Sequence, residues 1–171
     1  MSLPSPAARP WVPRVSPATY VEVLAFYAFQ MPLLEERRFD EFATTFTEDG
    51  VYAHAKDGWE LRGREQLVLE MRRNVPHYGT TVFRHWFDKM VIEERGSDTV
   101  EVSYRALVSL TDESGGVSFE PSSTIVDTLV RRDGALHTAS RVVTHDIPDP
   151  ADYWADRLAQ ESPAGAGPVR G

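Results

Sequence analysis

Between residues 81 and 146 the chain alternates apolar and polar positions over long runs. The period of two lays one set of side chains on each face of a strand. Runs at 81–94, 99–111, 118–132 and 135–146 are rich in Val, Ile, Thr and aromatic residues and are separated by "RGSD", "DESGG" and "RRDG". They read as successive strands joined by turns. Ahead of them the period is helical. Tyr20, Leu24, Tyr27, Met31 and Leu34 recur every three or four residues and predict an amphipathic helix. It starts either at Ser16 with Pro17 in its first turn or at Thr19 with Glu22 as a capping box. Pro32 removes a backbone donor and is expected to kink or end it. A short second helix carries Phe39, Phe42, Ala43 and Phe46 on one face, and "TEDG" (47–50) reads as the turn that closes it. "VYAHA" and "WELRG" around "KDG" form a hairpin, and a third helix runs from about Arg64 to Val75, stopping before Pro76. "DPADYWADRLAQ" (149–160) reads as a short closing helix.

Helices first and long antiparallel strands afterwards predict an α+β fold. In it, N-terminal helices pack against a strongly curved, mainly antiparallel sheet that forms a cone-shaped barrel with a central pocket. One domain over 16–161 is expected, between a Pro-rich arm (1–15) and a Gly/Pro-rich tail (162–171).

Composition narrows the function. The net charge is −8 and the Lys and Arg residues are scattered, which argues against nucleic acid. The chain has no cysteine, so thiolate chemistry, disulfides and cysteine metal sites are excluded. HExxH, Gly-rich phosphate loops and Gly-x-Ser-x-Gly are absent. No stretch has the form of a secretion leader or a membrane span, and a cytoplasmic protein needing no metal or cofactor is the expectation.

Candidate chemistry lies on the strands. His85 shares a face with Phe83 and Phe87, while Arg84, Trp86 and Asp88 take the other. A histidine titrating near neutrality can accept and return a proton, which dehydration or enolisation requires; the bland reading is a hydrogen-bonded histidine without chemistry. Asp127 stands among apolar residues in "TIVDTLV". It is either a general acid/base with a raised pKa or the partner of a neighbouring arginine, Arg105 or Arg141. His54, with Tyr52 on its face, is a second acid/base candidate. Tyr27, Tyr52, Trp86, Tyr104, Arg141 and His145 are candidate substrate contacts, with Tyr27 and Tyr52 able to hydrogen-bond a substrate oxygen. His77 and His137 read as surface residues.

"FYAFQMPLLEERRFDEFATTFTEDGVY" (26–52), "LRGREQL" (61–67), "RHW" (84–86), "STIVDTLVRRDG" (123–134) and "RVVTHD" (141–146) resemble the SnoaL-like superfamily. This is the cone-shaped α+β barrel shared with scytalone dehydratase and nuclear transport factors. The wording is most similar to small SnoaL-like proteins of aromatic polyketide pathways, with β subunits of ring-hydroxylating dioxygenases next. The resemblance implies a cofactor-independent dehydratase, cyclase or isomerase for a hydrophobic, polyketide-like small molecule. It also implies a homodimer, and supports a catalytic histidine on a barrel strand. The alternatives are a non-catalytic assembly subunit and a ligand-binding protein.

Overall fold

The computed structural model describes residues 14–56 and 58–147, with the backbone alone for 76–78. Helix α1 spans Pro17–Glu35 and α2 Phe39–Thr44. Strand β1 (Phe46–His54) forms a hairpin with β2 (Trp59–Arg62), and α3 covers Gly63–Tyr78. The rest is β3 (Val82–Glu94), β4 (Thr99–Thr111), β5 (Val117–Phe119), β6 (Ser123–Arg132) and β7 (Ala135–His145). The sheet runs β2-β1-β7-β6-β4-β3, with β5 added alongside β4. All pairings are antiparallel except β1 with β7, so the sheet is mixed. It is open, with β2 and β3 at its ends, and the helices cover its concave side.

Ser16 caps α1, its Oγ accepting from the Thr19 amide at 3.0 Å. The helix runs unbroken through Pro32, against expectation. Pro32 and Ala28, whose carbonyl loses its partner, are both on the exposed side, where water can take that bond. The buried stripe also differs: Thr19, Val23, Tyr27, Gln30, Met31 and Leu33 face inward, while Tyr20 and Leu24 are exposed. Apolar residues surround this helix, so period alone could not phase it. "TEDG" belongs to β1, as an irregularity between Phe46 and Val51 rather than a turn. A Cβ at buried Gly50 would stand 3.0 Å from the Thr47 carbonyl oxygen and 3.2 Å from that of Thr138, a tight fit that favours glycine there. Helix α3 continues through Pro76 to Tyr78; a proline in a last turn removes one bond at the end of the ladder. The expected strand 118–132 is split at Pro121 into β5 and β6.

In β3 the alternation slips once. Lys89 adopts φ 56° and the register shifts between Asp88 and Val91, so the inward set passes from Phe83, His85 and Phe87 to Met90 and Ile92. Asp133 and Gly134, both at positive φ, make the tight β6–β7 turn. Two apolar clusters fill the concave side. One centres on Val23, Tyr27, Val100, Val102, Tyr104 and Leu129, the other on Met31, Phe42, Phe46 and Leu67; Tyr52 and Phe87 touch both. No described helix is long and apolar enough to cross a membrane. The expected arm, tail and closing helix lie outside the described residues, apart from the last positions of the arm.

Candidate functional site

Strand register assembles the site. Tyr52 pairs with Arg141 across β1–β7, Arg141 with Asp127 across β7–β6, and Asp127 with Val102 across β6–β4. Cross-strand partners share a face, so Tyr52, Arg141 and Asp127 form one inward row. Asp127 is fully buried and the Arg141 side chain is 3% exposed. Arg141 donates from Nε to Asp127 Oδ1 at 2.9 Å and from Nη2 to Oδ2 at 2.6 Å. The hydroxyls of Tyr27 and Tyr104 donate to the same Oδ2 at 2.9 and 3.2 Å. Arg141 Nη2 also donates to Gln30 Oε1 at 2.8 Å, and Gln30 Nε2 donates to the hydroxyls of Thr45 and Thr138.

Of the two readings of Asp127, the ion pair with Arg141 is the one formed; Arg105 points outward to Thr124. This corrects its placement among acid/base groups, because both carboxylate oxygens are taken by donors in the core. Tyr27 and Tyr104 likewise spend their hydroxyls on Asp127 instead of standing free for a substrate. Burial pushes the Tyr27 phenol well above its ordinary range, and the Asp127 charge adds to this. Burial also drives Tyr104 well up, with Arg141 opposing and Asp127 reinforcing. For Arg141 burial favours the neutral form, but Asp127's charge and hydrogen bonds prevail and hold the guanidinium firmly protonated.

Farther along the concave face the side chains are only half-buried. His85 faces inward, its side chain 17% exposed, with Phe83 and Phe87 flanking it at ring separations of 6.0 and 6.4 Å. Its enclosed Nδ1 lies 3.4 Å from Glu35 Oε1, and its backbone N–H donates to the same oxygen at 2.7 Å. Burial pushes the Glu35 carboxyl up, but the His85 ring and backbone bonds, with the charges of His85 and Arg84, outweigh it and hold Glu35 below its ordinary value. Glu35 ends α1, which thereby fixes the imidazole from the helix side.

His54 stands with Trp59 at 4.9 Å, His145 at 5.0 Å and Tyr52 at 5.8 Å between ring centres. His145 Nδ1 meets the Ser123 hydroxyl at 2.8 Å. Burial raises the Tyr52 phenol, while neighbouring Arg141 draws it down. Trp86 is corrected outright. It lies on the convex face, 60% exposed, with its indole N–H donated to Ser109, because strand alternation sends it opposite His85. His137 is half-buried rather than superficial, in a groove of about 330 Å³ with Phe26, Phe29 and Leu136. Position 77 falls within α3, not in a loop.

The structure thus separates a sealed pair, Asp127 and Arg141 with two tyrosines, from a half-open set of His85, His54, His145 and Tyr52. Glu35, Gln30 and Ser123 went unseen in the sequence. Glu35 had a signal: positions 27, 31 and 35 lie on one helical stripe. Gln30 follows Val23 and Tyr27 at helical spacing too. Ser123 had none, since its partner is 22 positions away. Among the described residues no cluster of three or more His, Asp or Glu could hold a metal ion.

The SnoaL-like domain model matches residues 17–142, and the chain belongs to the SnoaL-like family. Among solved structures it is similar to Aln2 from a Streptomyces species, with 36% identity over 84% of this chain and 98% of that one, at a TM-score of 0.73. ActVI-ORFA from Streptomyces coelicolor shares 33% identity over 75% and 98%, at 0.69. A protein from Catenulispora acidiphila, solved in complex with S-DNPA, shares 35% identity over 85% and 99%, at 0.67. No curated protein matches the chain.

Proposed function

We propose that this SnoaL-like protein is a cofactor-independent acid/base enzyme acting on a hydrophobic, polyketide-like small molecule. The observation that carries the reading is the His85–Glu35 pair on the half-open concave face. His85 Nδ1 lies 3.4 Å from the Glu35 carboxylate, which orients the ring and would stabilise the imidazolium formed when Nε2 takes a substrate proton. A proton beside a carbonyl would pass to Nε2, leaving an enolate. Returning that proton to a departing hydroxyl gives dehydration; returning it to another carbon gives isomerisation. Cyclisation follows if the enolate carbon attacks within the same molecule. Tyr52 is the phenol placed to donate to the developing oxyanion, and His54 and His145 complete the polar rim. The similarity to a protein solved in complex with S-DNPA supports a small-molecule ligand.

The test is hydrogen–deuterium exchange at the carbons flanking the 2-tetralone carbonyl in D₂O, followed by NMR. Wild-type protein should accelerate exchange, and His85→Gln should lower that acceleration by about a hundredfold or more with the fold intact. Equal acceleration by the variant would remove His85 from the role.

One observation favours an added or alternative assembly role. The convex face exposes Val82, Trp86, Val117, Phe119 and Val126 on neighbouring strands, an apolar area suited to covering by a second chain. A homodimer through this face is the form we propose, and the molar mass in solution measures it.

A further inference from the structure

Away from the His85 face, a groove of about 330 Å³ opens between one flank of α1 and the β6–β7 turn. Glu22, Phe26 and Phe29 line it from α1, and Gly134, Ala135 and Leu136 from the turn and the first residues of β7. Phe29 is 62% exposed and Phe26 half-buried, which leaves an apolar strip facing solvent beside buried Leu136. From Glu22 to Phe29 the α1 wall runs about 10 Å along the helix axis. That is close to one turn of polyproline II, three residues at about 3.1 Å each. Aromatic-lined grooves take proline-rich segments, because the fixed φ of proline lowers the cost of ordering the chain.

The chain carries such a segment next to this groove. Pro4, Pro6, Pro10 and Pro13 fall within residues 1–13, which lie outside the described residues. Arg9 is the charged side chain among them and all 26 Asp and Glu follow it, so a cationic segment precedes a chain of net charge −8. Its point of attachment is fixed: Arg14 pairs with Glu93 on β3, and Val15 packs on the apolar cluster around Val23 and Tyr27. The groove lies at the same end of the sheet. Arg131 ties the β3–β4 and β6–β7 turns together, its backbone N–H donating to the Asp98 carbonyl at 2.8 Å, and its Nη2 donates to Glu22 at 2.8 Å. From β3 to β7 is three strand spacings, about 14 Å, and Phe26 lies about 14 Å along α1 from Pro17. The diagonal of about 20 Å takes about six or seven residues at the polyproline rise, which brings Leu3 to Pro6 over the groove. The segment after Ile147 leaves from the opposite end of β7, about 33 Å away. We propose that the groove holds the chain's own N-terminal segment, with Leu3 to Pro6 lying as one polyproline turn across Phe26 and Phe29. Docked there, it clamps the helix whose far end carries Glu35 to His85. Docking is independent of the acid/base chemistry, which lies on the concave face.

Because the chain has no cysteine, Ala8→Cys in the full-length protein gives a single thiol for a nitroxide label. In ¹H–¹⁵N spectra the label should broaden amide signals of residues 22–29 and 134–137 more strongly than those of 83–87, at the concave face. Phe29→Asp, at an exposed position, should weaken docking by about tenfold or more and reduce the broadening with it. Replacing Pro4 and Pro6 together with Gly should have the same effect while leaving every described residue unchanged. Broadening confined to residues 14–20, broadening centred on 83–87, or groove broadening undiminished in Phe29→Asp would each overturn the proposal. A nitroxide at Ser162→Cys that broadens the groove signals more than the one at Ala8→Cys would overturn it in favour of the C-terminal segment. Mixing nitroxide-labelled ¹⁴N chains with label-free ¹⁵N chains should leave the groove signals sharp. Broadening in that mixture would overturn docking on the same chain and assign the groove to a second copy.

Discussion

Replacing Asp127 with Asn changes one atom and should be among the most damaging conservative substitutions in the chain. The carboxylate is fully buried, and the arginine facing it has 3% of its side chain exposed. The amide keeps one oxygen for the tyrosine hydroxyls, but it turns an NH₂ toward guanidinium donors and leaves Arg141 charged without a counterion. Removing one partner of a buried pair costs about 3–5 kcal/mol, a large share of the 5–15 kcal/mol that holds an ordinary domain folded. At roughly 2–4 °C per kcal/mol for a chain of this size, the melting temperature should fall by about 6–20 °C. Urea titration followed by tryptophan fluorescence and by circular dichroism supplies the free energy. The double variant Asp127→Asn with Arg141→Met should recover much of the loss, because an apolar replacement of a buried pair is often near neutral. A single variant costing under about 1 kcal/mol, or a double variant as unstable as the two singles added together, would refute the reasoning.

Two further outcomes follow from the same geometry. Glu35 titrates below its ordinary value of 4.5 in the folded chain, so it stabilises the protein above that value and the contribution is lost as pH falls through it toward the depressed one. Glu35→Gln should therefore flatten the acid side of the melting temperature against pH from about 4.5 downward; an unchanged acid limb contradicts the His85–Glu35 pairing. On the convex face, light scattering should give about twice the 19.2 kDa chain mass, and Trp86→Glu should reduce it to that of one chain with little change in melting temperature. A wild-type mass of one chain removes the homodimer.

The strands were legible because alternation reports faces directly: a period of two puts His85 and Trp86 on opposite faces, but which face is inward comes only from the helices that cover it, and that places Trp86 outside. The ion pair was half legible. A carboxylate within "TIVDTLV" demands a partner, yet choosing Arg141 over Arg105 needs the β6–β7 register, which no local pattern encodes. Helix α1 was misphased for a physical reason. Its inward face carries Thr19 and Gln30, polar residues that hydrogen-bond Glu94, Thr45 and Thr138, so apolar periodicity found Tyr27 and Met31 but took exposed Tyr20 and Leu24 with them. "TEDG" read as a turn because its residues favour one; it lies within β1, between the Phe46 and Val51 positions that pair with β7.

The parallel pairing of β1 with β7 has a consequence for how the chain comes into being. Synthesis delivers α1, α2 and β1 first, but the strand that β1 lies against is the last one in the described sheet. Until residues 138–143 emerge, β1 can pair only with β2, and a lone two-stranded hairpin is marginal in water. The antiparallel succession β3, β4, β6, β7 can zip locally, whereas Tyr52 meets Arg141, and Tyr27 meets Asp127, only by closing loops of 89 and 100 residues. The groups proposed to handle the substrate should thus come together late in folding. A chain halted before β7 would display the apolar side of β1 to whatever is near, inviting chaperone capture or aggregation.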